Sequence, residues 1–194
     1  MAFTVSTFKT QLATGHGAAR PALYKIDINS PTGIGQSFSG SSNLLVKAAA
    51  IPASTIAPLT VNYYGRAYKT PGFRTFDVWN VTVINDENMQ ARQNIMEWMV
   101  GISGQLRGNR ASTIGGRFGT TAEGDATVTQ IGIDGTDQGS WKMHNLWPTE
   151  LGEIPLDWSS DMIEEYTIAF AYDYWSQGVT AEETDSAVTA NPHG

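Results

Sequence analysis

The chain has no cysteine, only three histidines, few charges and no long apolar run, and each shortage removes a class of function. Without cysteine there are no disulfides, thiolate metal centres or cysteine nucleophiles, which is compatible with a reducing cytoplasm. Charged residues make up 16% of the 194 positions, below the roughly 25% usual for globular domains. The formal net charge of −7 argues against a surface that grips nucleic acid, which needs a basic patch or stripe. It does not exclude a surface that nucleic acid slides past. The most apolar run, Leu44 to Ala53, is broken by Lys47 and Pro52, so no membrane span is expected. The opening residues lack the basic leader and apolar segment of a signal peptide, and a soluble, cytoplasmically made protein is expected.

What the chain does have is aromatic residues, glycine and alternation. The stretch from Leu146 to Trp175 holds three tryptophans and two prolines, then Tyr166, Ile168, Phe170 and Tyr172 at period two. That spacing puts four large side chains on one face of a strand, which must be buried against another layer. Tyr24, Ile26 and Ile28 alternate in the same way within a strand over Ala22 to Ile28. Pro31, Gly33 and Gly35 then make a turn, and Phe38 to Ala49 returns as a second strand. Leu59, Val61 and Tyr63 mark another strand, which runs into a polar and aromatic loop from Gly65 to Gly72. Phe73 to Ile84 reads as one strand covered on both faces.

One long helix follows. Asn85 is placed to cap it, with Asp86 and Glu87 in the first turn. Met89, Ile95, Met96, Trp98, Met99 and Ile102 form its apolar stripe, and Gly101 or Gly104 stops it. A shorter helix, with Val5, Phe8 and Leu12 at helical spacing, ends at Gly15 and Gly17. It is too short to stand without packing and reads as an arm that docks. Gly101 to Gly124, with Arg107, Arg110 and Arg117, is a long loop. Strands over Ala126 to Ile133 and Ser140 to Trp147, turning at Asp134-Gly135, and over Glu165 to Tyr174 complete a mainly β chain. Trp79, Trp98, Trp147 and Trp158 are expected in the subunit core. The segment beyond Trp175 is polar and acidic, and disorder is expected there.

Catalytic chemistry finds little support. His144 alternates with Trp141 and Met143, and a surface or edge histidine outweighs a catalytic base there. Gly115 to Gly119 fails both phosphate-loop fingerprints, because no Lys-Ser/Thr follows and a strand comes next. The carboxylate groups Glu150/Glu153/Asp157 and Asp161/Glu164/Glu165 fit solvated turns better than a glycosidase pair or a calcium loop. No enzyme activity, metal or cofactor is expected.

Two blocks carry a resemblance. The first is Arg74-Thr75-Phe76-Asp77-Val78-Trp79 through Val83-Ile84-Asn85-Asp86-Glu87 to Ala91-Arg92-Gln93. The second is Leu146-Trp147-Pro148-Thr149 through Gly152-Glu153 and Leu156-Asp157-Trp158 to Asp173-Tyr174-Trp175. In that order, with Ala19-Arg20-Pro21 ahead of them, they resemble the tail-tube proteins of contractile-tailed, T-even-type bacteriophages. The Gly/Arg loop and the acidic tail depart from that pattern.

The resemblance implies a mainly β, sandwich- or barrel-like tail-tube fold with one flanking helix, whose strands complete a β-barrel in a hexameric ring. It implies one tail-tube domain over residues 1–175, with residues 1–20 as an N-terminal arm and 176–194 as a flexible tail. Rings would stack into a virion tail tube, assembled in the host cytoplasm, that passes the genome during ejection. The implied partners are further copies of the chain, the tail sheath protein, the tape-measure protein, the baseplate and tail-terminator proteins, and DNA passing without specific binding. By analogy with the long loop of this fold, ring stacking is expected at Tyr64, Gly65, Arg66, Tyr68, Lys69, Pro71 and Phe73. The Phe38 to Ala49 and Leu59 to Tyr63 strands are candidates for the inner wall, with Ala126 to Ile133 and Ser140 to Trp147 as a second pair. A baseplate tube-initiator protein, or the tube protein of a bacterial contractile injection system, is the alternative.

Overall fold

The computed structural model describes residues 4–14, 18–31, 45–104, 122–159 and 161–178. Its elements are α1 (Val5–Thr14), β1 (Tyr24–Asn29), β2 (Val46–Ala49), β3 (Thr55–Tyr63), β4 (Arg66–Thr75), β5 (Trp79–Ile84), α2 (Gln90–Ile102), β6 (Gly124–Ile131), β7 (Asp137–Leu151), β8 (Glu165–Ala171) and β9 (Tyr174–Gly178). Most of Phe38 to Ala49, residues 105–121 of the 101–124 loop, Gly15, Gly17, His16 and the tail after residue 178 lie outside the described residues.

β7 organises the body because it belongs to two sheets. Its first half pairs with β6 on one side and β9 on the other, and β6 pairs onward to β1. Its last residues, Trp147 to Leu151, pair instead with β8, which leads to β5 and then β2. All these pairings are antiparallel. The corner falls at Asn145, whose φ of 56° is left-handed. Its amide Nδ2 donates to Asp173 Oδ2 at 2.7 Å, and the Asp173 N–H donates to the His144 carbonyl at 3.1 Å. Asparagine tolerates that backbone region better than most residues, so the bend has a local cause.

The two sheets close over one core. Ile26, Ile28, Ala126, Val128 and Met143 face Trp79, Val81, Val83, Tyr166, Ile168 and Phe170, all buried. The period-two face expected in the last strand is therefore inside, with Tyr172 joining it. α2 adds Ile95 and Trp98, and the Trp98 indole N–H donates to the Ala122 carbonyl at 2.9 Å. The Phe170 ring lies 5.8 Å from Trp79 and 6.3 Å from Trp98, joining sheet and helix through one aromatic cluster. The outer strands β1 and β2 approach each other as well. The Tyr24 hydroxyl donates to the Val46 carbonyl at 3.2 Å and to that of Lys47 at 2.5 Å, so a side chain spans the seam.

Several expectations are corrected. Phe73 to Ile84 is not one strand: β4 ends at Thr75 and β5 begins at Trp79. Gly65 to Gly72 is not a loop but the turn and first half of β4, paired with β3 from Tyr63↔Arg66 to Thr55↔Thr75. Pro71 is tolerated there because β4 pairs with β3 alone, leaving one edge with no ladder to supply. Asn85 does not cap α2. It continues the β5–β8 ladder, donating its N–H to the Glu164 carbonyl at 2.9 Å and its amide to the Glu164 carboxylate at 2.8 Å. The helix starts five residues later, after Met89 in the left-handed region, so Asp86 and Glu87 precede it. Gly101 lies within the helix, and Met89 and Met96 are exposed. The last strand is split by the corner at Asp173 into β8 and β9, and β9 runs three residues past Trp175. Trp79 and Trp98 are core residues, but Trp147 is 38% exposed and Trp158 is fully exposed.

Candidate assembly interface

β3 and β4 form a two-stranded sheet of their own, separate from the body's seven strands. At about 3.3 Å per residue, its nine- and ten-residue strands give a ribbon roughly 30 Å long. Every residue of β3 is exposed, and all of β4 except Thr70 and Gly72. The turn is Tyr64-Gly65, both with positive φ (48° and 75°), as a two-residue hairpin turn with the twist of its strands requires. Tyr64 is 90% exposed at the tip and packs edge-on against Tyr63, ring centres 4.7 Å apart. Gly72 cannot take a side chain, because a Cβ there would meet the Ala57 carbonyl oxygen at 2.5 Å.

All seven residues expected to mediate stacking fall on this ribbon. Tyr64 and Gly65 make the turn; Arg66, Tyr68, Lys69 and Pro71 stand opposite Tyr63, Val61, Thr60 and Pro58; Phe73 projects near the base. Ile56, Leu59, Val61, Tyr63, Tyr68 and Phe73 are all about half exposed or more. A monomer seldom leaves so continuous an apolar surface in water. From Thr55 to Thr75 the ribbon carries Arg66, Lys69 and Arg74 and no carboxylate.

A second exposed apolar surface, part of which the sequence pattern assigns to the core, lies between β7 and β8. Leu156, Trp158, Met162 and Ile163 are all at least 71% exposed. With Pro155, Asp157 and Glu164, three of them line a surface cavity of about 290 Å³. From Glu150 to Glu165 this segment has six carboxylates, at 150, 153, 157, 161, 164 and 165, and no cation. Glu164 accepts from Asn85, and Glu165 takes Lys47 Nζ at 2.5 Å. Asp157 is held below the usual carboxylate range by the Ser159 N–H and hydroxyl, at 2.9 and 2.7 Å. Glu153, Asp157 and Asp161 are exposed, as solvated turns would leave them.

One contact invisible to sequence spacing is between His144 Nε2 and Ser176 Oγ, 2.9 Å apart. It arises only because β9 pairs along β7, bringing together residues 32 positions apart. The Tyr174 ring stacks on the imidazole at 4.5 Å, so Nε2 and one ring face both have partners on β9. Burial first, and then Lys142, hold the His144 pKa down, partly opposed by Asp125. The pair reads as a strand clamp. Among the described residues no group of three or more His, Asp or Glu could hold a metal ion, and no helix is long and apolar enough to cross a membrane.

A family model described as phage tail tube protein matches residues 5–178. The chain is 36% identical over 159 residues to tail tube protein gp19 of Enterobacteria phage T4, covering 81% of this chain and 90% of that protein. Its fold is similar to a chain in the sixfold-symmetrised baseplate of the anti-feeding prophage, with a TM-score of 0.59 at 8% identity over 82% of this chain and 95% of the other. It is also similar to a chain in the extended sheath–tube complex of an extracellular contractile injection system, with a TM-score of 0.50 at 13% identity over 91% and 99%.

Proposed function

This chain belongs to the phage tail tube protein family, and from that membership we propose that its copies form sixfold rings that stack into the hollow inner tube of a contractile tail. As a tail tube protein it is a structural component of the virion, and its role in this reading is architectural, not enzymatic. The observation that carries the assembly reading is the β3–β4 ribbon, a long, exposed and apolar projection of the kind a partner surface covers. Tyr64, Gly65, Arg66, Tyr68, Lys69, Pro71 and Phe73 are the stacking contacts in this reading.

The proposed partners are the chain's own copies, the tail sheath, the baseplate and terminator at the tube ends, the tape-measure protein during assembly, and DNA in transit. Fold likeness to a chain of a sheath–tube complex and to one of a sixfold baseplate supports the copies, the sheath and the baseplate. The net charge of −7 suits a conduit, since fixed cations along a lumen would add salt-dependent affinity for DNA and slow its passage. The likeness to a baseplate chain keeps a tube-initiator role as the second reading. Identity to a T4 tube protein over most of both chains favours the tube itself.

Negative-stain electron microscopy of the purified protein tests the proposal, with hollow rods of uniform width as the expected result. Substituting Arg66→Glu together with Tyr68→Ala is expected to leave the far-UV circular dichroism unchanged and abolish the rods. Rods of normal length and yield from that variant would remove the ribbon from the stacking contact.

A further inference from the structure

The ribbon and the 150–165 segment are opposites in charge and alike in apolarity. One has Arg66, Lys69 and Arg74 with no acid; the other has carboxylates with no base. Each exposes large apolar groups, Tyr68 and Phe73 on the ribbon and Trp158 and Leu156 on the segment. We propose that the β3–β4 ribbon of one copy seats on the Pro155–Glu164 surface of a second copy, Tyr68 meeting the cavity there and Arg66, on the same strand face, meeting Glu153, Asp157 and Asp161, with Lys69 and Arg74 adding positive charge from the other face. This rests on the stacking reading above and names the surface that receives the ribbon.

The charge match selects the occupant. Glu164 and Glu165 are engaged within the chain, by Asn85 and Lys47, and the remaining carboxylates stand in water beside exposed tryptophan and leucine. Opposite charges around an apolar centre fix register and partner choice, while the buried aromatic centre supplies most of the affinity. The N-terminal helix is the weaker candidate within the chain. It exposes Val5, Phe8 and Leu12 but contributes a single charge, Lys9. The ribbon brings Arg66 on the face of Val61, Tyr63 and Tyr68, Lys69 and Arg74 on the opposite face, and a surface long enough to span the segment.

The absence of native cysteine makes a clean test possible. One preparation carries Tyr68→Cys and another Trp158→Cys; the two are mixed, allowed to assemble and oxidised. Because each chain has a single thiol, only a contact between copies can join the thiol introduced at position 68 to the one introduced at position 158. Mass spectrometry of the linked peptides identifies that disulfide. Linked dimers enriched in the rod fraction are expected. Rods that form without this link would overturn the docking surface and leave the tube reading intact. Linkage instead from a Phe8→Cys chain to the Trp158→Cys chain would give the site to the N-terminal helix. A chain that never forms rods, even unsubstituted, would remove both.

Charge reversal supplies a second readout. Arg66→Glu, Lys69→Glu and Arg74→Glu together, or Glu153→Lys, Asp157→Lys and Asp161→Lys together, are each expected to lower rod yield on the order of tenfold. Mixed, the two reversed preparations are expected to co-assemble, since each offers what the other's surface now requires. Failure to regain rods on mixing, with both variants folded, counts against the pairing.

Discussion

Tyr166 shows how much a single side chain in this fold is asked to balance. Its ring is buried between the sheets, and the Arg92 guanidinium lies 5.1 Å above it while donating to the Gly152 carbonyl at 2.8 Å. Its hydroxyl has no protein hydrogen-bond partner. Burial pushes the phenol pKa up to about 12, with Arg92 pulling it down and Asp86 pushing it up. The folded state thus favours the neutral phenol. Its contribution to stability is intact below the unfolded value of 10.0 and is lost as pH rises from there through about 12. Tyr24 and Tyr172 are raised in the same direction by burial. Tyr166→Phe is therefore expected to flatten, without abolishing, the fall in urea-unfolding free energy above pH 10. At pH 7 it should change stability by no more than about 1 kcal/mol, since no protein hydrogen bond is lost. A loss several times larger would mean the hydroxyl is engaged. At this scale the sequence is most legible where alternation is strict. Spacing alone assigns Ile26, Ile28, Tyr166, Ile168 and Phe170 inward, and all are buried. Trp158 is not legible in this way, because tryptophan's usual preference for the interior carries no information about an apolar surface kept for a partner.

Among the elements, β9 is the one whose existence spacing conceals. Glu165 to Tyr174 alternates as though it were one strand, but the Asn145–Asp173 corner interrupts it, and beyond the corner the chain keeps its antiparallel course along β7 as β9. The start of α2 and the path of β4 escape local patterns for related reasons. A ladder partner at Glu164 draws Asn85 into the sheet, and an edge position accommodates Pro71. Tertiary pairing decides such cases, and no local signal announces it. β9 is held in part by His144, whose ring nitrogen meets Ser176 and whose face stacks on Tyr174. The His144 pKa is depressed, so its contribution to stability is present above the unfolded value of 6.5 and lost as pH falls through the folded value. After correction for intrinsic rates, hydrogen exchange at Trp175 and Ser176 is expected to accelerate below pH 6.5 relative to β8. His144→Gln, which keeps a polar group without the charge change, should remove that pH dependence. Equal acceleration in β8 and β9 would point to global loosening and against a clamp.

For the whole molecule, the question is how a chain of net charge −7 associates with copies of itself. Like charges on approaching subunits repel over distances comparable with the Debye length, roughly 10 Å at 0.1 M salt. Contacts between Arg66, Lys69 or Arg74 and the carboxylates of the 150–165 segment act only once surfaces touch, where screening is weaker. The two effects therefore have different salt dependences, and their order sets the outcome. Moderate salt removes the long-range repulsion first and is expected to promote rods. Salt near 1 M, where the Debye length is about 3 Å, is expected to weaken the contact pairs and raise the concentration needed for assembly. The critical concentration, read by light scattering or sedimentation across a salt series, should pass through a minimum. Reversing all three ribbon cations changes the charge by two at each position, so −7 becomes about −13. That variant keeps the repulsion and loses the attraction, and any assembly left to it should rise with salt throughout. A minimum that persists in the variant would show that other charges set the dependence, and the ribbon's cations would lose their part in assembly.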